Sequence, residues 1–337
     1  MRRRVQIGRT VGAVVLVCAA VAAGIFGVSS VLEGDDSGNA ASRPADSRPA
    51  ASPPGDGWRW ESYETIELQV PDDWGYGTTG SPPCLVEKVQ RPYVGRPGAV
   101  RAIGCGTRLP LLAYRASYLW FDAVRRIPAD TPGVHPADHG WVEEIRLVDG
   151  VQVTVVSDDN SIRRRILDSA RVIDGTDAYG CAPDHPLARQ PQGRPSGGGT
   201  ASLGTVESIA LCRYAIGAPA ARRRAPLIAS SVVRDRAADA LVDAITSAPE
   251  GGGPDDTDCL ETYGSEILVL KLHGSNGDQE VLIRYSGCHF NGIDDGVTLR
   301  RLTADVLRPI LTGIHRQTTY SHALYELVVG PAPPKWR

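Results

Sequence analysis

The sequence predicts an α+β protein in which an N-terminal transmembrane helix and a disordered tether precede two antiparallel-sheet domains with helices on one face. Three observations predict it. An uncharged run from Thr10 to Leu32 follows Arg2, Arg3, Arg4 and Arg9 and precedes Glu33, Asp35 and Asp36. Beyond it, short segments of alternating apolar residues are broken by Pro, Gly and Asp, and helical spacing follows the strand-like runs. Of the 7 cysteines, all but Cys18 lie past that run, and an even number in an exported chain argues for disulfides.

Residues 1–9 form a basic cytoplasmic segment and 10–32 the membrane anchor. At about 1.5 Å per residue a helix of that length crosses the ~30 Å hydrocarbon core. The arginines before it keep the N-terminus inside and direct the remainder outward, as a single-pass protein with an extracellular ectodomain. A cleaved secretory signal is the alternative, because Ala20-Val21-Ala22 has the small-x-small pattern of a cleavage site. The apolar run continues through Ile25, Phe26, Val28 and Val31, past the ~7–15 residues of a cleavable signal, which favours retention. Lipoprotein processing at Cys18 would want a small residue before it, where Val17 stands. Residues 33–57, rich in Pro, Ala, Ser and Gly and without a large apolar side chain, read as a disordered spacer.

The first ectodomain is expected over 58–176. Ile66, Leu68 and Val70 alternate with Glu67 and Gln69, and Pro71 ends the strand. A turn about Val94-Gly95 would set Cys84 opposite Cys105 in a hairpin. Val151–Val156 is a second strand, and the capping residues Asp158, Asp159 and Asn160 open a helix in which Ile162, Ile166 and Ala170 share a face. A strand running into VPDDW and a strand running into a helix with ILDSARV resemble the small α+β domains of the PsbP and Mog1-like type. That resemblance implies an antiparallel sheet covered by helices.

The second ectodomain, 177–330, reads as two related halves. Cys181 precedes the strand Val206–Cys212, an apolar run over 226–233 and a helix with Ala238, Leu241, Val242 and Ile245 on one face. Cys259 likewise precedes strands over 267–272 and 281–288, joined at Asn276-Gly277, and then the helical segment TADVLRPIL, in which Pro309 is out of place. The separations Cys181–Cys212 and Cys259–Cys288 are 31 and 29 residues, which suggests a repeat and the sequential disulfide pairing. Residues 331–337 are a tail. Anchor, tether and paired-cysteine units with phrases such as LCRYAIG and VLIRYSGCHF resemble uncharacterised membrane-anchored surface proteins of actinobacteria, a group that implies no activity.

Function is less legible. The net charge of −3, with 36 basic and 39 acidic residues intermixed, excludes a global field for nucleic acid. His135, Asp138 and His139 sit in a Pro/Gly loop and read as solvated, and without CxxC or HxxxC spacing no metal or cofactor is expected. Trp58, Trp60, Trp74 and Tyr76, with Tyr63, form the densest aromatic group: a core floor, or a stacking surface for a ligand. Ser286, in Arg284-Tyr-Ser-Gly-Cys288, lacks the glycine of a nucleophile elbow, and a disulfide would consume the Cys288 sulfur beside His289. Asp255, Asp256, Asp258, Asp294 and Asp295 lack calcium-loop spacing and read as solvated turns. The runs Arg163–Arg165 and Arg222–Arg224 are the local positive patches, solvated faces or contacts to an anionic wall polymer. The expectation is an extracytoplasmic binding or interaction module, anchored in the bilayer, whose partner is an envelope protein or wall polymer. The alternative is an envelope hydrolase with unassigned catalytic residues.

Overall fold

A hairpin comes first among the described strands: β1 (Trp58–Tyr63) and β2 (Ile66–Pro71) pair antiparallel with Tyr63 opposite Ile66, turning through Glu64 and Thr65. The computed structural model describes residues 54–77, 91–98, 109, 111–123, 131–186, 193–216, 225–255, 265–316 and 322–330. The expected anchor 10–32, the tether through residue 53, Cys84, Cys105, Cys259, the run Arg222–Arg224 and the tail 331–337 lie outside the described residues. No helix among the described residues is long and apolar enough to cross a membrane.

The alternation read over 66–70 is a buried face, with Ile66, Leu68 and Val70 fully inaccessible. The polar partner Glu67 is buried too, held by Arg171 Nη2 at 2.7 Å and the Ala178 N–H at 2.8 Å. Next come β3 (Gly75–Tyr76), β4 (Tyr93–Gly95), β5 (Tyr118–Ala123), β6 (Gly133–Pro136), β7 (Val142–Val148) and β8 (Val151–Ser157), in the sheet order β3-β4-β5-β8-β7-β6. This sheet corrects two expectations. Val94 and Gly95 are buried as the second and last residues of β4 instead of forming a turn. The sheet is also mixed, because β3, β4 and β5 run parallel while β5 to β6 are antiparallel. Parallel neighbours need long connections, so the chain does not turn straight back at Val94-Gly95.

The helix α1 (Asn160–Asp168) starts where its capping residues predict, with Asp159 Oδ1 accepting from the Ser161 and Ile162 N–H groups at 2.7 and 3.1 Å. It ends earlier than the periodicity suggests. Arg171 and Val172 leave it as β9 (Arg171–Val172), which pairs with β2 to complete a three-stranded sheet β1-β2-β9. One core lies between β2, β5, β8 and α1, built on Leu68, Leu119, Phe121, Val153, Val155 and Ile166.

The remaining strands form one antiparallel sheet: β10 (Val206–Ile216), β11 (Leu227–Arg234), β12 (Ser265–Gly274), β13 (Gly277–Arg284), β14 (Gly292–Asp294) and β15 (Leu299–Arg300), in the order β11-β10-β12-β13-β14-β15. The helices are α2 (Asp235–Ser247), α3 (Ala304–Ile310) and α4 (His322–Val328). Ile209, Leu211, Leu268, Leu270 and Ile283 meet Leu241 and Ile245 of α2 and Val306 and Leu307 of α3 on one face. On the other face Ala210, Cys212, Tyr214, Val269 and Leu282 pack with Cys181 and Ile173. Both faces of β10 and β12 are therefore covered, which is why these strands read as continuous apolar runs. Pro309 lies inside α3, one residue before the helix ends, where it cannot donate to the Asp305 carbonyl.

Cys181 and Cys212 form a disulfide across a Cα separation of 5.5 Å, and Cys288 is disulfide-bonded as well. In the 177–330 segment the antiparallel pair β10 and β11 leads into α2, whereas β12 and β13 are followed by β14 and β15 before α3, and β10 pairs with β12 where the halves meet. The cysteines that suggested the comparison occupy different places: Cys212 is inside β10, whereas Cys288 lies in the loop after β13.

Candidate functional site

The 287–291 loop carries the most exposed aromatic ring of the structure's described residues, Phe290, 56% accessible and at a left-handed φ of 62°. The conformation is imposed from outside. Asp255 accepts the Phe290 and Asn291 N–H groups at 3.3 and 2.9 Å, and the Asn291 amide donates to the Pro254 and Gly287 carbonyls. Gly292 follows at a φ of 154°, and a Cβ there would come within 3.0 Å of the Arg300 carbonyl, so only glycine lets β14 pass this close to β15.

Beside this loop is an open groove of about 710 Å³, lined by Arg194, Arg284, Arg301, Asp294, Leu299 and the 252–255 backbone as well as Phe290. Arg284 ends β13, and Asp294 ends β14 next to it. Arg194 grips Asp294 with two nitrogens, Nε at 2.9 Å from Oδ2 and Nη2 at 2.9 Å from Oδ1, and the ion pair raises the Arg194 pKa. Arg284 stands farther off, with Nη1 4.0 Å from Asp294 Oδ2 and Nη2 donating to the Gly193 carbonyl. Desolvation lowers its pKa, Asp294 opposes that, and the neighbouring Arg194 adds to it. Asp294, expected with Asp295 in a solvated turn, is 3% exposed, and Asp295 is 4% exposed. Burial alone would raise its carboxyl, but N–H groups of Thr298, Thr200 and Val297 overcome this and hold the pKa below the ordinary value. The acids lining the groove among the described residues, Asp255 and Asp294, are thus occupied as structural acceptors.

A second polar cluster is buried. Arg96 pairs with Glu61 of β1 and donates to the carbonyls of Ser62 and Ile228 at 2.7 and 3.2 Å. Nearby, Tyr285 Oη donates to Glu266 Oε2 at 2.9 Å, with Arg213 3.6 Å from the same carboxylate. Burial drives the Tyr285 pKa up and the Arg96 pKa down. His315 Nε2 lies 2.8 Å from Ser231 Oγ, the spacing of a nucleophile and its base. The chemistry does not follow, because His315 Nδ1 has no orienting partner among the described residues. Burial, then Arg213 and Arg96, push its pKa well below the ordinary value, opposing the imidazolium that a general base must become.

Of the aromatic group from the sequence, Tyr63 and Trp74 belong to the first core and Trp58 packs against it. Trp60 and Trp74 are buried, Arg165 covers Trp58 at 3.9 Å and Arg171 covers Trp60 at 4.2 Å, while Tyr76 is 41% exposed beneath Arg59. His135 reaches the Thr131 carbonyl at 2.8 Å, and Asp138 binds Arg115 at 2.6 Å. Among the described residues no three His, Cys, Asp or Glu side chains are gathered to hold a metal. Ser286 donates to the Glu266 carbonyl at 2.9 Å. Arg163 is buried against Glu144 and Asn160, so the Arg163–Arg165 run is not one positive face. Sequence reasoning missed Arg194, Arg301 and Phe290. Arg284 left a trace, as a cation at the end of the apolar run Val281-Leu282-Ile283.

Comparison with known proteins returns no matching family, no matching curated protein and no matching solved structure.

Proposed function

We propose that the protein is a membrane-anchored, extracytoplasmic binding module, held by residues 10–32, that meets an envelope component through the groove beside Phe290. The observation that carries this reading is the groove itself: open, lined by arginines and an exposed aromatic ring, with both carboxylates already spent on structural contacts. Such a surface suits recognition, whereas a hydrolase needs a free acid, base or nucleophile. The arginine-flanked apolar run and the Cys181–Cys212 disulfide support an exported location.

A photo-crosslinking amino acid at position 290 of the full chain, irradiated in intact cells, tests the reading. Adducts with an envelope component are expected from position 290 and not from Val134, an equally exposed position on β6. Equal labelling from both positions, or none from 290, would contradict the groove as the binding face.

A further inference from the structure

We propose that the groove takes an oxyanion, a carboxylate or a phosphate, carried on an apolar group, with Arg301 and Arg284 facing the anion and Phe290 and Leu299 the apolar part. This rests on the groove being the binding face.

Among the described residues the charges within the groove do not balance. Arg194, Arg284 and Arg301 face two carboxylates, and those are committed: Asp255 to the Phe290 and Asn291 amides, Asp294 to Arg194 and the Gly296 N–H at 2.9 Å. Arg301 anchors its backbone through an N–H to the Pro249 carbonyl at 2.8 Å, while its exposed guanidinium has no partner among the described residues. Arg284, with its side chain only 10% exposed, has its carboxylate at 4.0 Å, beyond hydrogen-bonding distance. A partly desolvated guanidinium without a close counter-ion gains from an incoming anion, and the planar fork of arginine matches the paired oxygens of a carboxylate or phosphate.

The apolar requirement has separate grounds. Phe290 is 56% and Leu299 39% exposed, both line the groove, and the ring stands there in a backbone conformation that Asp255 and Asn291 must enforce. A bulky residue held at positive φ is a local cost that a well-packed fold does not require, and such positions cluster at ligand sites. A small inorganic anion would leave that ring and Leu299 in water.

Calorimetric titration of the full chain in detergent tests the ligand class with phenylacetate and phenyl phosphate as the two anionic arms, and benzyl alcohol and inorganic phosphate as controls. At least one anionic aromatic is expected to bind about tenfold or more tighter than benzyl alcohol, the scale of one charge-assisted contact. The better arm identifies carboxylate or phosphate. Arg301→Glu, on an exposed side chain, should remove the preference without moving the thermal transition. Phe290→Ala should erase the advantage of phenyl phosphate over inorganic phosphate. Equal binding of benzyl alcohol, an unchanged preference in Arg301→Glu, or no binding by any probe overturns the ligand class. If crosslinking from position 290 still captures an envelope component in cells, only the ligand class has failed; if it does not, the binding face has failed too.

Discussion

His315 is the residue where burial and charge act most clearly together. It is 3% exposed, accepts or donates a hydrogen bond with Ser231, and sits near Arg213 and Arg96, so its folded pKa lies well below 6.5. Below about pH 6.5 the unfolded chain binds a proton there that the folded chain refuses, so stability falls as pH drops and is unaffected above that value. The slope approaches about 1.4 kcal/mol per pH unit for one proton. Denaturant melts between pH 7 and 5 should show the loss, and His315→Gln, which can still reach Ser231, should flatten it; an equal slope in the variant would assign the effect elsewhere. Carboxylates with lowered pKa, such as Asp295 and Asp159, lose their contribution only near and below their ordinary value of 3.8, a separate window. None of this was legible in the sequence. His315 follows an ordinary helical segment, and the two arginines that surround it come from β10 and from the residue after β4, distant in the chain. The groove was hidden for the same reason: Arg194, Arg284 and Arg301 meet only once the sheet edge has formed.

Elements with local causes were readable, and those set by tertiary pairing were not. The Asp159 cap and the Gly274–Gly277 hairpin follow from a few adjacent residues, and both stand where those residues put them. The hairpin between β7 and β8 had an equally local signal that went unread, the two-residue Asp149-Gly150 loop. Both residues take positive φ, 44° and 79°, which two-residue turns need to match the strand twist. Val94 and Gly95 show the opposite case: a turn-like composition overridden by burial between two parallel partners. Gly150 allows a clean test because a Cβ there would meet nothing within 4 Å, so any penalty is conformational. Gly150→Ala should cost about 1–2 kcal/mol in chemical denaturation, and Gly150→Asn distinctly less, since asparagine tolerates the left-handed region. Equal losses would mean that the turn is not what the substitution disturbs.

At the scale of the molecule, the fold depends on the pairing at the centre of the second six-stranded sheet. β10 runs beside β12 from Val206 opposite Gly274 to Ile216 opposite Ser265, and the Cys181–Cys212 disulfide fastens the preceding segment to β10. The cores on both faces draw on the two halves together: Leu241 and Ile245 of α2 pack with Leu268, Leu270, Val306 and Leu307, which all follow residue 250. A chain ending at Pro249 would keep β10, β11 and α2 but lose β12 and the helices that close the apolar face. Ile209 and Leu211, now 0% and 2% exposed, would keep α2 as their only cover, beside an unpaired strand edge. Neither half alone retains a closed core, so unfolding should be shared across the sheet. Truncation after Pro249 should therefore leave a species without a sharp thermal transition, prone to associate through β10, while the full chain melts cooperatively. A truncated chain that melted sharply as a monomer would show that the first half stands on its own, and that β12 joins a sheet already stable without it.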